Sequence, residues 1–565
     1  MAQRVGVQIR LWPWSTAREE VVNPDDDTLS FPYYGSPVFV AAENVKFMLP
    51  RRNEQFIPHG AAFATLQGQY RLYEMPHGVL ASKEQAHAST VQPHLTLFSG
   101  KLTQEVKLNT KFAMSQWEAN EPSDLANTVK AWSQFFDDCF DACNKENSEN
   151  YLPWQDIYKY LERASGKMSE PRMALIVHLA EKMRKRLGPT VRMARKILLR
   201  ERSLLPVERI METDAACLRW YIRQPGETMA QKAAAHRQSL MGISRKESFD
   251  TLENRVLKDF LKRCKEAAQK YITIEVGRQY QQSNRGRDIR QFQNLCAELV
   301  MDGNLQDVAS LRTRVRPNYV LQNDARYREV WESYRRLLRQ EDEEDRAWDW
   351  QSRTWADIAR LLIGAALSSM EGQRASGENT FARPLLQASM HIRKEQRLGG
   401  RVLAGSEPGP FVIMPNQNTK TAEWILEIVH SEEAHAHVAT KELWRTGAHL
   451  YLVLARIGKQ ERRVVVIWAV HTASSMHDVD WNAVSRSAQQ SLILHEALLS
   501  EHQTNFPKLS GMVIASTLHG KTVDLHLASH DAPSVIEVPA DPRQWAVELA
   551  NMAFLLQERF EEAMR

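Results

Sequence analysis

The chain has 565 residues, which is too long for one hydrophobic core and predicts about two to four domains. Its 43% hydrophobic and 25% charged residues are those of an ordinary soluble protein. With 73 Lys and Arg against 69 Asp and Glu, the net charge of +4 gives no reason by itself to expect a polyanion partner. Only local clusters of charge could indicate one.

The absence of a targeting segment and the positions of the cysteines exclude further classes of protein. The first residues contain no long apolar stretch of a signal peptide, and runs such as Val464–Val470 are too short to cross a bilayer. We therefore expect a cytoplasmic protein with no membrane partner. The five cysteines lie in helical-looking surroundings without CxxC spacing, which predicts buried thiols rather than a disulfide framework or a zinc site.

Residues 1–118 are predicted to form a β-rich N-terminal domain. Segments with β-type residues and partial alternation are separated by Pro, Gly, Asn and Asp. They are Val5–Trp12, Val38–Phe47, Gly60–Tyr73 and Leu95–Leu108. No catalytic constellation occurs there, and we interpret the domain as a β-sandwich or partial barrel that binds another chain.

Residues 119–371 are predicted to form a helical middle domain. An apolar stripe at helical spacing near its start predicts a buried core rather than a cofactor site. The stripe consists of Trp132, Phe135, Phe136, Cys139, Phe140 and Cys143. The acidic run between Arg339 and Arg346 is interpreted as a solvated loop.

Basic clusters occur in this middle region. Glu181–Arg202 contains nine Lys or Arg against two Glu, and two further clusters follow at 278–290 and 312–316. Such clusters neutralise phosphates, while interleaved Tyr, Gln and Asn can bind backbone or bases. A solvated helix face is the alternative. The candidate DNA-binding residues are Arg184, Lys185, Arg186, Arg192, Arg195, Lys196, Arg255, Lys258, Arg285, Arg287 and Arg290.

A helix is predicted to begin at Asp250. Asp250 is interpreted as the N-cap, and Glu253 follows at capping-box spacing. Apolar residues then recur at helical intervals and predict one buried face, whereas the other face is basic and bears an amide. The basic face consists of Asn254, Arg255, Lys258, Lys262 and Lys265, and the apolar face of Leu252, Val256, Leu257, Phe260, Leu261 and Cys264.

The same helix resembles the signature of a bacterial family of domains of unknown function that is related to McrC-like restriction subunits. In that family a D-T-x-E-N-R helix precedes a PD-(D/E)XK nuclease-like domain. The signature residues here are Asp250, Thr251, Glu253, Asn254 and Arg255, and the preceding match consists of Leu218, Trp220, Arg223, Gln224, Pro225 and Gly226. The resemblance extends from about Tyr151 to the C-terminus. It implies a role in anti-phage defence beside a separate motor, such as a helicase or an AAA+ GTPase.

Residues 372–410, rich in Gly, Pro and Ser, are predicted to be a loop or boundary, and 411–565 to be an α/β module. Glu423–His430 is a strand or a helix. The further strands are predicted at His449–Ile457, Arg463–His471, Met512–Ser516 and Val523–Ala528, and the helices at Trp481–His502 and Trp545–Ala563.

The resemblance implies catalytic carboxylates that this sequence lacks at the expected positions. Enzymes of the PD-(D/E)XK type hold Mg²⁺ with an acid on one strand and an acid-x-Lys on the next. Here Ala448 and His449 stand at the first position, and Trp468–His471 at the second. Asp478 and Asp480 could serve in another register. We therefore predict a degenerate nuclease-like site with no catalytic residues, metal or cofactor.

The sequence pattern predicts an α+β multidomain protein, and the resemblance implies that its C-terminal domain is a degenerate restriction-endonuclease-like domain. No GxxxxGK[ST] phosphate loop is present, so the chain has no motor of its own. The leading hypothesis is a non-catalytic DNA-binding or scaffold subunit of an anti-phage defence system. The alternatives are an active Mg²⁺-dependent endonuclease and a protein-interaction adaptor without DNA binding.

Overall fold

Helices and sheets are combined throughout the computed structural model, and a mixed sheet occupies the C-terminal region, in agreement with the predicted α+β class. The chain divides into two compact units, one comprising Met1–Gly166 and Gln340–Arg565, the other Lys167–Arg339. The structure describes residues 7–10, 12–15, 21–22, 28–30, 38–42, 45–48, 57–65, 68–74, 94–99, 102–109, 121–146, 151–165, 170–171, 174–278, 280–311, 315–349, 351–372, 381–384, 389–395, 399–404, 410–414, 423–434, 437–440, 443–471, 479–500, 507–517, 520–529 and 531–565.

The N-terminal region is β-rich, as its alternating pattern predicts. The described strands form one sheet in the order β2-β1-β4-β7-β6 and a second in the order β3-β9-β8-β5. Their bounds are β1 Val7–Arg10, β2 Val21–Val22, β3 Thr28–Ser30, β4 Val38–Ala42, β5 Val45–Met48, β6 Ile57–Thr65, β7 Gly68–Glu74, β8 His94–Ser99 and β9 Leu102–Asn109.

Helices follow in the same unit. The predicted apolar stripe is confirmed at Trp132, Phe135, Phe136 and Cys139, which are buried. The side chain of Cys143 lies outside the described residues. These elements are α1 Glu121–Glu146, β10 Tyr151–Pro153 and α2 Ile157–Ser165.

The second unit is mainly helical and also contains a two-stranded antiparallel ribbon. The ribbon pairs Ile197 with Ser248 at one end and Pro206 with Ser239 at the other, in a region where the sequence predicts helices. The acidic run after Arg339 lies within α10 rather than in the predicted loop. The elements are α3 Leu175–Arg192, β11 Ile197–Pro206, α4 Ala215–Arg223, α5 Met229–Ala235, β12 Ser239–Ser248, α6 Leu252–Tyr271, α7 Asn284–Val300, α8 Gly303–Gln306, α9 Tyr319–Asn323 and α10 Ala325–Asp349.

The C-terminal part of the first unit is built on a mixed sheet in the order β13-β16-β17-β18-β19-β20-β22-β21. Neighbouring strands are antiparallel from β13 to β19, and β19, β20 and β22 are parallel. A separate sheet has the order β10-β14-β15. The elements are α11 Gln351–Gly372, β13 Ala382–Pro384, β14 Ser389–Glu395, β15 Gly399–Ala404, β16 Pro410–Ile413, β17 Trp424–His430, β18 Leu450–Arg456, β19 Arg462–His471, α12 Trp481–Ser500, β20 Lys508–Thr517, β21 Asp524–His526, β22 Ser534–Pro539 and α13 Pro542–Met564.

The structure differs from the sequence prediction on both sides of this sheet. The segment 372–410 contains β13, β14 and β15 instead of being only a loop, because buried residues such as Met390, Ile392 and Val402 anchor it. Helices α1, α2 and α11, predicted to belong to the middle domain, join one core with the C-terminal sheet. The middle unit therefore begins and ends inside the predicted 119–371 range.

A short N-terminal segment also packs on the C-terminal sheet. Trp12 and Trp14 stack at 4.9 Å, and Trp14 lies 5.3 Å from Trp468 between ring centroids. The Trp14 carbonyl accepts a hydrogen bond from Ser491. Gly447, with φ +64°, allows the backbone of Pro13 to approach. No helix in the described part of the chain is long and apolar enough to span a membrane.

Candidate functional site

The signature lies at the N-terminus of α6, but its cap differs from the prediction. Thr251, not Asp250, is the N-cap, and its side chain accepts the hydrogen bond from the Asn254 backbone N–H. Asp250 instead binds Arg255 through two parallel hydrogen bonds of 2.7 Å and accepts a third from the Ala309 N–H. The Arg255 guanidinium holds the pKa of Asp250 below its usual value. The predicted Asp250 cap was therefore wrong.

Asn254 is fully buried rather than part of the predicted exposed face. Its amide nitrogen donates hydrogen bonds of 2.7 Å to the carbonyls of Arg195 and Phe249. Its carbonyl oxygen accepts one of 2.7 Å from the Tyr327 hydroxyl. That hydroxyl in turn accepts from the Arg195 N–H at 2.8 Å. Asn254 thus joins α6, α10 and the segment after α3.

Glu253 is the second buried member of the signature, at 2% exposure. Its carboxylate accepts hydrogen bonds from Arg195 at 2.6 Å and from Asn318 at 2.8 Å. Burial alone would raise the pKa of Glu253. Hydrogen bonds, among them that of Asn318, and the charge of Arg195 outweigh burial, so the pKa falls below its usual value. Lys258, one helical turn beyond, donates to the carbonyls of Gln306 and Val308 at 3.0 and 2.7 Å.

The signature residues therefore connect α6 to other segments of the second unit. Their polar groups bond to one another, to the backbone of two other segments at Arg195 and Ala309, and to the side chains of Asn318 and Tyr327. Such pairing is the usual state of buried polar groups. The apolar face of α6 is confirmed, since Val256, Leu257, Phe260, Leu261 and Cys264 are buried.

Most of the candidate DNA-binding residues have intramolecular partners. The side chains of Arg195, Arg255 and Lys258 make the intramolecular hydrogen bonds described above. Lys196 pairs with Glu247 at 2.9 Å. Contacts within the unit also join Arg184 to Asp288 and Gln291, Arg186 to Glu329, Arg285 to the Pro171 carbonyl, Arg287 to Asn284 and Arg290 to the Gln281 carbonyl.

Two candidate cations remain without such a partner. The side chains of Lys185 and Arg192 are exposed and have no hydrogen-bond partner among the residues that the structure describes. Arg316 is exposed, whereas Arg312 and Arg314 lie outside the described residues. Among the residues that the structure describes, the predicted cations thus lie on one unit, and most of them have intramolecular partners.

A histidine ends each of the two segments where the resemblance implies the acid and the acid-x-Lys, namely Ala448-His449 and Trp468–His471. β18 and β19 are neighbouring antiparallel strands, with Leu450 opposite Ile467. His449, just before β18, accepts a hydrogen bond of 3.1 Å from the Ala469 N–H. His471, at the end of β19, bonds to Ser516 and, at 3.2 Å, to Gln351. Both rings are buried.

A buried ionic cluster lies next to His449, and we call it the arginine centre: Arg353, Asp357 and Arg360 on α11, Arg401 on β15, His430 at the end of β17 and Glu432 in the following turn. Arg360 donates to Asp357 at 2.6 Å and to the His449 carbonyl at 2.7 Å. Arg401 donates to the other oxygen of Asp357 at 2.5 Å.

Glu432 completes the arginine centre. One of its carboxylate oxygens accepts hydrogen bonds from Arg401, at 2.7 Å, and from Arg353. Burial alone would raise the pKa of Glu432, but the charges of Arg353 and Arg401 outweigh it and hold the pKa well below its usual range.

Burial and the nearby charge of Arg360 hold the pKa of His430 well below its usual range, so this ring is neutral. Burial also lowers the pKa of Arg360, to about 10, which leaves it protonated at neutral pH.

The arrangement does not form a metal site. Both carboxylates of the arginine centre are engaged by guanidinium groups. No group of three or more His, Cys, Asp or Glu side chains could hold a metal ion in the part of the chain that the structure describes. Asp480 accepts a hydrogen bond from the Ala483 N–H at 3.1 Å, near the start of α12. Asp478 lies outside the described residues.

Sequence reasoning missed the arginine centre. The available signal was the spacing of Arg353, Asp357 and Arg360 along α11, a helix that is otherwise largely apolar. Positions i, i+4 and i+7 share one helix face, and charged residues on a buried face are rare unless they are paired.

One part of the chain matches a known family of domains. Residues 167–334 match the family described as Domain of unknown function (DUF2357). The match lies on the second compact unit. No curated protein matches the chain. Among solved structures, the chain is similar to one from a refined half-complex of the tetradecameric assembly of Thermococcus gammatolerans McrB AAA+ hexamers with bound McrC. That similarity has 9% sequence identity and a TM-score of 0.21, and covers 71% of this chain and 76% of the other.

Proposed function

We propose that this chain is a non-catalytic subunit of a bacterial restriction-type anti-phage system. It serves as a scaffold with an accessory DNA contact and acts with a separate motor such as a helicase or an AAA+ protein. The setting rests on the D-T-x-E-N-R resemblance and on the match of residues 167–334 to DUF2357.

The arginine centre is the observation that supports the non-catalytic role. A hard divalent cation needs anionic oxygen ligands that are free to bind it. Here both oxygens of Asp357 accept from Arg360 and Arg401. Glu432 is held by Arg401 and Arg353. Three guanidinium groups within this small volume also repel a divalent cation.

Exposed apolar side chains support the scaffold part of the role. The segment that contains β11 and α4 carries large apolar side chains on its surface, including Met211 at 96% and Ile222 at 76% exposure. A series of exposed large apolar residues along one segment favours a protein interaction site. The set in this segment is Met193, Leu198, Leu199, Leu204, Val207, Met211, Leu218, Ile222 and Met229.

A cleavage assay tests the non-catalytic role. The purified full-length chain is incubated with plasmid and linear duplex DNA in Mg²⁺ or Mn²⁺, beside an Asp357→Asn variant. We expect no cleavage by either protein. Metal-dependent cleavage that the Asp357→Asn substitution abolishes would instead identify an active endonuclease, which is the rival function.

The scaffold role is tested in cells that carry the native locus. A Leu218→Asp, Ile222→Asp double variant places charge on the exposed face of α4 and should reduce protection against phage, with unchanged protein level and melting temperature. Val438→Asp is the matched control, because Val438 is 80% exposed in the other unit. Equal protection by both variants would rule out this face as the partner contact.

A further inference from the structure

The arginine centre is built from groups that match a phosphate. Arg353, Arg360 and Arg401 are each at least 98% buried, with exposures of 2%, 1% and 1%. A guanidinium presents planar, paired N–H donors that bind carboxylate and phosphate oxygens in the same geometry. Buried guanidinium groups require anionic partners, because an uncompensated charge away from water is costly.

Glu432 supplies such a partner from the surface. Its side chain is 33% exposed, whereas those of Arg353 and Arg401 are buried. A single oxygen of Glu432 accepts from both guanidinium groups. A phosphate offers more oxygens and more charge than this carboxylate, so it can serve the two arginines with separate oxygens.

Two further groups of the centre point to a ligand. The Arg360 Nε and the His430 Nδ1 are buried and have no hydrogen-bond partner among the described residues. Both side chains are only 1% exposed. Unsatisfied buried polar atoms are rare in folded proteins, and each one calls for an explanation such as a bound group. Ser431 Oγ, next in sequence to His430, is unsatisfied within the same set of residues.

We propose that the arginine centre is an oxyanion site that takes a phosphate group, and that the Glu432 carboxylate holds the place of that phosphate when the site is empty. The ligand enters where Glu432 reaches the surface and displaces its carboxylate from Arg353 and Arg401. The phosphate is either free inorganic phosphate or the terminal phosphate of a nucleic acid. This site does not depend on the proposed role in defence.

Calorimetric titration of the full chain with inorganic phosphate tests the site. A Glu432→Gln variant loses the competing charge but keeps the size of the side chain. We expect it to bind phosphate roughly tenfold more tightly than the wild type, the scale of one charge-assisted hydrogen bond. Glu433→Gln is the matched control, because it removes the neighbouring carboxylate, and it should bind phosphate as the wild type does. Sodium chloride at equal ionic strength should give no binding signal.

Three outcomes would overturn the proposal: no phosphate-specific binding by the Glu432→Gln variant, equal binding by the two Gln variants, or a phosphate signal that chloride reproduces. If the Glu432→Gln variant does not fold, an Arg353→Lys variant tests the site instead, because it keeps the positive charge and loses the planar pair of donors. Phosphate should then bind severalfold more weakly than to the wild type, and unchanged affinity would refute the site.

The source of the phosphate is assigned by competition. A 5′-phosphorylated oligonucleotide that displaces inorganic phosphate, when its 5′-hydroxyl counterpart does not, indicates a nucleic-acid end as the ligand. If neither oligonucleotide displaces phosphate from a site that Glu432→Gln tightens, the ligand is the free ion.

Discussion

The hydroxyl of Tyr327 on α10 donates a hydrogen bond of 2.7 Å to the side-chain carbonyl of Asn254 on α6. The same hydroxyl accepts from the Arg195 N–H, and the Asn254 amide returns a hydrogen bond to the Arg195 carbonyl. These three bonds form a closed ring, so removal of one member leaves the others unsatisfied. The hydrogen bonds of Asn254 thus give this signature residue a role in the stability of the second unit.

Asn254→Ala should destabilise the second unit by about 3 kcal/mol, because it leaves two backbone carbonyls and the Tyr327 hydroxyl without their buried partner. The change is measured by urea unfolding, with hydrogen exchange of α6 peptides to locate it. Asn323→Ala is the control, since Asn323 is exposed on α9, and it should change stability by less than about 0.5 kcal/mol. Equal stability of the two variants would contradict the role given to the ring.

Gly447→Ala should destabilise the first unit more than Gly458→Ala does. Both glycines have positive φ, +64° and +75°, which costs an alanine about 1–2 kcal/mol. Only at Gly447 would the added Cβ lie 2.0 Å from the Pro13 carbonyl oxygen, whereas nothing lies within 4 Å at Gly458. Thermal unfolding of both variants measures the difference. Equal melting temperatures would show that residues 12–15 do not pack on the Gly447 turn.

The sequence predicted the elements whose side-chain pattern is regular. β18, β19, α12 and α13 were located because continuous apolar runs and helical stripes mark buried elements. The β11–β12 ribbon was missed because it is largely exposed and charged, and its pairing partners lie more than thirty residues apart. Its basic residues were therefore assigned to helices.

Candidate sites were harder to predict than elements. The burial of Glu253 and Asn254 could not be read from α6 alone, since their partners Asn318 and Tyr327 come from later in the chain. The arginine centre likewise joins Asp357 to Arg401, which is 44 residues away. Polar residues indicate a solvated face unless the fold is known to bring partners to them.

Acid should weaken the first unit through Glu432. Its folded pKa is depressed, so its contribution to stability is present above the ordinary value of 4.5 and is lost as the pH falls towards the folded pKa. Between neutral pH and pH 4.5, Glu432 should change the free energy of unfolding little. Below pH 4.5 the free energy of unfolding should fall. Glu432→Gln, measured by urea unfolding over the same range, should show a shallower fall. An identical pH dependence would show that the ion pairs with Arg353 and Arg401 do not stabilise the fold.

We expect Lys185 and Arg192, which have no intramolecular partner among the described residues, to contact DNA. The affinity for DNA should then depend only moderately on salt. Two phosphate contacts through Lys185 and Arg192 give a slope of log K against log salt near −2. A Lys185→Glu, Arg192→Glu double variant should weaken binding and flatten this slope, measured by fluorescence anisotropy. Lys265→Glu, an exposed change on α6, is the control. A slope that the double variant leaves unchanged would exclude these residues as the DNA contact.

Titration with Mn²⁺, monitored by electron paramagnetic resonance, most directly tests the claim that the arginine centre is not a catalytic metal site. Mn²⁺ occupies the oxygen sites that Mg²⁺ uses and reports binding without any need for cleavage. Because guanidinium groups engage both Asp357 and Glu432, the wild-type chain should show no stoichiometric Mn²⁺ site, and neither should the Asp357→Asn variant. A stoichiometric site in the wild type that Asp357→Asn or Glu432→Gln removes would contradict the non-catalytic account and support an active metal-dependent nuclease.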